Sequence, residues 1–131
     1  MIESFDNIGV AVTDYQRAVE FYKKLGFDVD FEEGEGASLK AGNAVLYVFK
    51  TSSSTSPQSR DVSLTANPPG IDHISFRVPD VDAEHARIRK AGLEVETEPE
   101  DQSWGSRTIT ILDPDGNRLW FLGPLKGKAI S

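Results

Sequence analysis

Apolar and polar residues alternate in two short runs, one near the start of each half of the chain. The first run predicts a strand over about 5–12 and the second a strand over about 71–78. A helical pattern follows each run, with Asp14 or Asp80 at the position where a carboxylate can accept from free backbone N–H groups. Each half of the chain therefore begins with a strand and a helix.

Three further strands are predicted after each helix. They cover 27–31, 37–41, 44–49, 93–97, 107–112 and 118–122. The sequence DPDG at 113–116 separates the last two and is a strong hairpin signal. The predicted order is βαβββ, twice.

The two halves are related by duplication. Residues 6–29 lie over residues 72–95 at a constant offset of 66, without a gap. Identical residues occupy seven aligned positions: Asp6/Asp72, Ile8/Ile74, Val12/Val78, Asp14/Asp80, Lys24/Lys90, Gly26/Gly92 and Val29/Val95. The coincidence of identities with matching strand and helix signals indicates one repeated module.

Neither module is long enough to bury a sufficient apolar core alone. We therefore expect a single domain over 1–131, built from repeats at about 4–50 and 70–123. The Ser/Thr/Pro-rich stretch at 51–69 reads as the linker between them.

Side chains on one face of each predicted sheet are apolar and suit helix packing, whereas those on the other face are polar, small or aromatic. We expect an α+β fold in which the tandem βαβββ modules form a curved mixed sheet around a concave cleft, with helices on the outer face. The residues assigned to the cleft are Asn7, Gly9, Ala11, Val45, Tyr47, Phe49, His73, Ser75, Arg77, Arg118, Trp120 and Leu122.

Composition narrows the function classes. The formal charge of −7 argues against nucleic acid and anionic membranes as partners and would suit a cationic ligand. The chain contains no cysteine, which excludes disulfides, thiolate metal sites and Cys nucleophiles. It also shows no apolar run long enough to span a bilayer and no secretory leader, so we expect a cytoplasmic protein.

The tandem βαβββ repeat and the DPDGN hairpin resemble the vicinal oxygen chelate superfamily, which includes glyoxalase I, extradiol dioxygenases and bleomycin-resistance proteins. In its metalloenzymes the resemblance implies ligands at four positions, occupied here by Asn7, Tyr47, His73 and Trp120. Only His73 is a typical ligand type, and a divalent metal needs about three protein donors. We therefore predict no metal, no cofactor and no catalytic residue.

The metal-free, bleomycin-resistance-type members offer a closer match. They carry Trp-Gly nine residues before DPDG, the spacing of Trp104 and Asp113, and an aromatic residue at the end of the second strand, here Phe31. The resemblance implies a homodimer whose aromatic rings sandwich flat, cationic ligands. Domain-swapped and unswapped arrangements both stay open.

The leading hypothesis is a metal-independent protein that binds a planar aromatic, antibiotic-like small molecule. The predicted ligand-binding residues are Asn7, Phe31, Tyr47, Phe49, His73, Arg77, Trp104, Arg118 and Trp120. Two of them have open alternatives: Phe31 could pack in the core with Phe27 and Val29, and Arg118 could pair with a local carboxylate. The competing hypotheses are a metal-dependent lyase, isomerase or dioxygenase of the same superfamily, and a non-catalytic dimeric domain with a vestigial cleft.

Overall fold

The computed structural model describes residues 1–56 and 60–128. The chain divides into two compact units, Met1–Thr55 and Ser56–Ser131, here called the first and the second unit. Each unit holds one strand–helix–three-strand module and is described by itself. The predicted linker at 51–69 spans this division, and its residues 57–59 lie outside the described residues.

Each module forms a four-stranded mixed sheet with one helix. The elements of the first unit are β1 (Ile8–Val12), α1 (Tyr15–Leu25), β2 (Asp28–Glu33), β3 (Gly36–Ala41) and β4 (Ala44–Lys50). The elements of the second unit are β5 (Ile74–Arg77), α2 (Val81–Lys90), β6 (Glu100–Asp101), β7 (Arg107–Leu112) and β8 (Arg118–Gly123), with short 3-10 turns at Leu64–Ala66 and Lys126–Lys128.

The strand order is the same in both sheets. It runs β1-β4-β3-β2 in the first unit and β5-β8-β7-β6 in the second, and neither sheet is closed. The first and last strands of each module pair in parallel, and the other neighbours are antiparallel. The predicted α+β class and the tandem βαβββ order are confirmed.

Both helices begin at the predicted aspartates. The Asp14 carboxylate accepts from the backbone N–H of Arg17 at 3.1 Å, and the Asp80 carboxylate accepts from that of Ala83 at 3.1 Å. After α1, Gly26 adopts a φ of 128°, a conformation that glycine takes without a steric penalty. Among the described residues no helix is both long and apolar enough to cross a membrane.

In the first unit the core lies between α1 and one face of the sheet. Val10 and Val12 of β1 are buried while the intervening Ala11 is exposed, as the alternation predicts. Tyr22 of α1 and Leu46 of β4 are almost fully buried within the same layer. The opposite sheet face carries Tyr47, which is exposed.

In the second unit the two central strands are buried on both faces. Ile109 and Ile111 of β7 belong to the apolar core, while Thr108 and Thr110 of the same strand are also buried. In β8 the apolar Leu119 alternates with polar or amphipathic side chains that are nevertheless enclosed. The face opposite α2 is therefore a partly buried polar and aromatic surface.

The prediction of a strand at 93–97 is wrong. This stretch makes one isolated bridge, Val95 with Ile111, and the strand that pairs with β7 is the two-residue β6 further along the chain. The side-chain hydroxyl of Thr97 accepts from the backbone N–H of Thr110 at 3.0 Å. A side chain thus replaces the backbone carbonyl that would have continued the ladder.

A β-bulge in β2 overturns the parity argument for Phe31. The pairing with β3 shifts between Val29 and Phe31, so that Phe31 lies opposite Ser38 on the sheet face that also carries Tyr47. Phe31 is 58% exposed, and core packing with Phe27 and Val29 is therefore contradicted.

Candidate functional site

The last strand of each module presents an equivalent aromatic side chain. Tyr47 of β4 pairs with Gly9 of β1, and Trp120 of β8 pairs with Ser75 of β5. Because Gly9 and Ser75 are 66 residues apart, they occupy the same position of the repeat. The structure thus confirms that Tyr47 and Trp120 are equivalent, as the positions of the resemblance imply.

His73 and Trp120 come together in the second unit. The imidazole lies on the indole with ring centroids 4.1 Å apart and planes 10° from parallel. The Nδ1 atom of His73 lies 2.7 Å from the Oδ2 atom of Asp72, which orients the ring. The histidine is therefore held on one side by a carboxylate and on its face by an aromatic ring.

Asp72 is the centre of a small polar network that sequence reasoning missed. The amide of Asn67 donates to Asp72 Oδ1 at 2.8 Å, and the guanidinium of Arg60 approaches the same oxygen at 3.3 Å. The hydrogen bond with His73, followed by those groups, holds the pKa of the Asp72 carboxyl below its usual range, although burial opposes the shift.

The sequence repeat contains a feature that could have identified Asp72 as a candidate site residue. Asp6 and Asp72 are one of the identical pairs, and the Oδ1 atom of Asp6 accepts from the amide of Asn7 at 2.7 Å. In both units an aspartate therefore bonds to the side chain that follows it. Asn7 itself is exposed, ahead of β1.

Trp104 is the exposed partner of the stack. It lies in the loop between β6 and β7, is 53% exposed, and has its ring 6.3 Å from that of Trp120 with planes 20° from parallel. Gln102 closes the loop, because its backbone N–H donates to the carbonyl of Ser106 at 2.8 Å. A φ of 105° at Gly105 completes the turn.

The indole N–H of Trp120 has no hydrogen-bond acceptor among the described residues, although the atom is buried. A buried donor without a partner carries a free-energy cost of about 1–3 kcal/mol. It is therefore a candidate donor to a ligand. We refer to His73, Trp104 and Trp120 together as the aromatic cluster.

The guanidinium of Arg118 is hydrogen-bonded to other groups of the protein. It donates to both carboxylate oxygens of Glu96 at 3.0 Å and to the backbone carbonyls of Asp61 and Arg60 at 2.8 and 3.0 Å. The side chain is only 3% exposed. Of the two roles considered for Arg118, the structure shows the pairing with a local carboxylate, and the contact with Asp61 ties part of the predicted linker to the sheet.

Arg77 differs from Arg118 in exposure and in pairing. It ends β5, faces away from α2, and is exposed. Within residues 1–56 and 60–128 the structure gives it no ion pair and no hydrogen bond from its side chain.

The first unit presents a second aromatic pair. Tyr47 and Phe49 stack at 5.7 Å with planes 26° apart. Their neighbour Gly36 has no Cβ, which leaves room for the phenol, since a Cβ there would stand 3.0 Å from Tyr47 Cζ and closer still to its hydroxyl. An open groove of about 430 Å³ runs beside them, lined in part by Glu33 and Glu35.

The residues at the family's ligand positions do not fit a divalent metal ion. An indole offers no lone pair, so Trp120 cannot ligate, and His73, whose Nδ1 atom is bonded to Asp72, could supply only its Nε2 atom, a single donor. Over the described parts of the chain, no group of three or more His, Cys, Asp or Glu side chains is arranged to hold a metal ion. A structural or catalytic site needs at least about three such donors.

Comparison with protein families gives one clear match. Residues 4–121 match the model described as the Glyoxalase/Bleomycin resistance protein/Dioxygenase superfamily. This confirms the resemblance that the repeat and the hairpin indicated.

Relatives and solved structures are similar to this chain over most of its length. An uncharacterized protein of Mycobacterium bovis is 30% identical over 120 residues, covering 87% of this chain and 78% of its own. The crystal structure of a glyoxalase family protein from Enterococcus faecalis is 25% identical, with a TM-score of 0.73 and coverage of 92% of this chain and 97% of that chain. A lactoylglutathione lyase from Agrobacterium tumefaciens, 20% identical with a TM-score of 0.69 and coverage of 93% and 94%, shares the fold.

Proposed function

The chain belongs to the Glyoxalase/Bleomycin resistance protein/Dioxygenase superfamily, and on that premise we propose that it binds a planar aromatic small molecule without a metal ion. The binding site is the aromatic cluster of the second unit. Protection or sequestration of the ligand would follow from binding alone, since no bond has to be broken.

The observation that carries this proposal is the relation between Trp104 and Trp120. Their planes are nearly parallel, but their centroids stand 6.3 Å apart. A flat ring needs about 3.5–4 Å on each of its faces, so an outward movement of the exposed Trp104 would admit a ligand ring between the two indoles. Stacking of this kind contributes about 0.5–1.5 kcal/mol per ring pair beyond area burial.

Polar groups near the cluster support recognition of a substituted ring. The buried indole N–H of Trp120 can donate to a ligand acceptor, and the hydroxyl of Ser75 lies on the adjacent strand. His73 also stacks on Trp120, with ring centroids 4.1 Å apart, and helps to keep that indole in place. We propose separately that Asn7, Phe31, Tyr47 and Phe49 of the first unit contact ligand.

Fluorescence offers a direct test because both tryptophans of the chain belong to the cluster. Titration of metal-stripped protein with flat aromatic probes of two or three fused rings should quench or shift the emission. Trp104→Ala should weaken binding about tenfold, measured by calorimetry. Leu64→Ala, which removes an exposed apolar side chain of the same unit outside the cluster, is the control.

Two results would count against this function. Unchanged probe affinity in the Trp104→Ala/Trp120→Ala double variant would place the site elsewhere. One tightly bound divalent metal per chain, lost in His73→Ala, would favour the metal-dependent lyase, isomerase or dioxygenase instead. If neither probes nor metals raise the melting temperature, the vestigial-cleft hypothesis gains support.

We also propose that the protein is a homodimer, domain-swapped or unswapped. Large apolar side chains stand exposed ahead of β1, among them Met1, Ile2 and Phe5, and both sheets have open edges. Such surfaces favour association. Sedimentation at micromolar concentration tests this, and a monomer there would contradict it.

A further inference from the structure

Arg77 provides a positive charge that the protein itself does not neutralise. Of the two arginines on the sheet face opposite α2, Arg118 is saturated by Glu96 and backbone carbonyls. Arg77 is exposed and lacks any such partner in the described residues. A guanidinium presents five donors in a planar fork suited to carboxylates, sulfonates and phosphates.

The strand register places Arg77 beside the aromatic cluster. Trp120 pairs with Ser75, and Arg77 pairs with Leu122, the next residue of β8 on the same face. Two residues of a strand advance about 6.6 Å, so the arginine lies one step along the sheet from the indole. The loop that carries Trp104 lies toward this same end, because it joins β6 to β7 beside the pair Thr108–Leu122.

The acidic side chains on this sheet face do not neutralise the positive charge of Arg77. Glu96 is bound to Arg118, and Asp72 is bound to His73 and Arg60. Glu100 faces the same way but lies three strands across the sheet, about 14 Å away at the normal strand spacing. The local charge is therefore opposite in sign to the net charge of −7 that suggested a cationic ligand.

We propose that Arg77 recognises an anionic group on the aromatic ligand, so that the site selects flat aromatic acids over neutral or cationic analogues. This inference rests on the proposed function, since the ring must first be held by Trp104 and Trp120. The acid group sits on a short substituent of the ring, which spans the single step from the indole pair to the guanidinium. The hydroxyl of Ser75, exposed between His73 and Arg77 on β5, can donate to the same anion.

Calorimetry with three probes of one shape tests the proposal: 1-naphthaleneacetate, its neutral amide and 1-naphthaleneethylamine. In the unaltered protein the acetate should bind about tenfold more tightly than the amide, as one charge-assisted contact implies. Arg77→Gln should abolish this preference while leaving affinity for the amide unchanged. Arg77→Lys should retain part of it, since the charge remains but the fork is lost.

Arg89→Gln is the matched control, because Arg89 is an exposed arginine of the same unit that lies on α2. It should leave the preference for the acetate intact. Equal binding of acetate and amide, a preference that survives in Arg77→Gln, or tightest binding of the amine would overturn the role of Arg77 while leaving the aromatic site standing. Failure of all three probes to bind would contradict both proposals.

Discussion

The imidazole of His73 lies flat on the indole of Trp120, 4.1 Å away, while its Nδ1 atom is bonded to Asp72. The one typical metal-ligand residue among the four family positions is thus part of an aromatic stack. Its partner at the other position of the same unit is a side chain with no lone pair to offer. The chemistry of this surface is accordingly that of stacking and hydrogen bonding.

Removing the imidazole should loosen the stack. We expect His73→Ala to lower the free energy of unfolding by about 1 kcal/mol, because a ring contact is lost. Since Trp104 and Trp120 are the only tryptophans, the emission spectrum should change as well. Chemical denaturation followed by fluorescence measures both effects. Ser75→Ala, on the adjacent residue of the same face, should alter neither, and an unchanged spectrum in His73→Ala would contradict the stack.

Asp72 should make the protein sensitive to acid. Its pKa is lowered in the folded state, first by the hydrogen bond with His73 and then by Asn67 and Arg60. A depressed pKa contributes stability that is present above the unfolded value of about 3.9 and is lost as the pH falls through the folded pKa. In Asp72→Asn this part of the acid dependence should disappear.

The measurement is the free energy of unfolding between about pH 6 and pH 2 in both proteins. Asp28→Asn, at an exposed carboxylate of β2, controls for the change in net charge. Parallel pH profiles for the unaltered protein and Asp72→Asn would show that the network around Asp72 does not favour its ionised form.

The two arginines on the face of the second sheet opposite α2 should respond differently to the same substitution. Arg118→Met would leave Glu96 without its bidentate partner and two carbonyls without donors, at a cost of about 3 kcal/mol. Arg77→Met removes an exposed side chain with no partner and should change stability by less than about 0.5 kcal/mol. Urea denaturation compares them directly. Similar losses in both variants would refute the distinction.

Ionisation of Tyr15 should lower the stability of the first unit at alkaline pH. Its hydroxyl donates to the carboxylate of Glu32, and burial, together with that carboxylate, raises the pKa of Tyr15 from 10.0 to about 12. A raised pKa contributes stability that is complete below the unfolded value and is lost as the pH rises through the folded value. Stability should therefore fall between about pH 10 and pH 12.

Spectrophotometric titration at the phenolate band should show one tyrosine ionising near pH 12, and Tyr15→Phe should lack that step. Glu32→Gln should shift it to lower pH, because the neighbouring negative charge is gone. Tyr47→Phe, which removes a tyrosine from the other face of the same sheet, should retain the step but move it to slightly lower pH, because the charge of Tyr47 is a smaller contributor to the raised pKa of Tyr15. A late step that persists in Tyr15→Phe would assign the raised pKa to another residue.

Local signals were sufficient for most of the fold. The offset of 66 located both modules, and the alternation in β1 and β7 identified their strands because a buried face imposes a period of two. Asp14 and Asp80 marked the helix starts because the capping contact spans only three residues. Such short-range signals lie entirely within the helix or strand that they predict.

Predictions that depended on register were less secure. The bulge in β2 moved Phe31 to the other face, because one extra residue reverses the parity of everything beyond it. The stretch at 93–97 has strand-like alternation, yet the hydroxyl of Thr97 interrupts its ladder with β7. Neither feature can be recognised from the local sequence, because each depends on how the segment pairs with the neighbouring strand.

The amino-acid sequence by itself determined the repeated module, its caps and the residue types at the equivalent positions, because these follow from short-range periodicity. The tertiary structure decided which of those side chains are available to contact a ligand. Arg77 and Arg118 have the same chemistry and face the same side, but Glu96, 22 residues away along the chain, pairs with Arg118 and leaves Arg77 exposed. Burial and pairing are properties of residues brought together by folding, and only the folded chain distinguishes the structural arginine from the one available to a ligand.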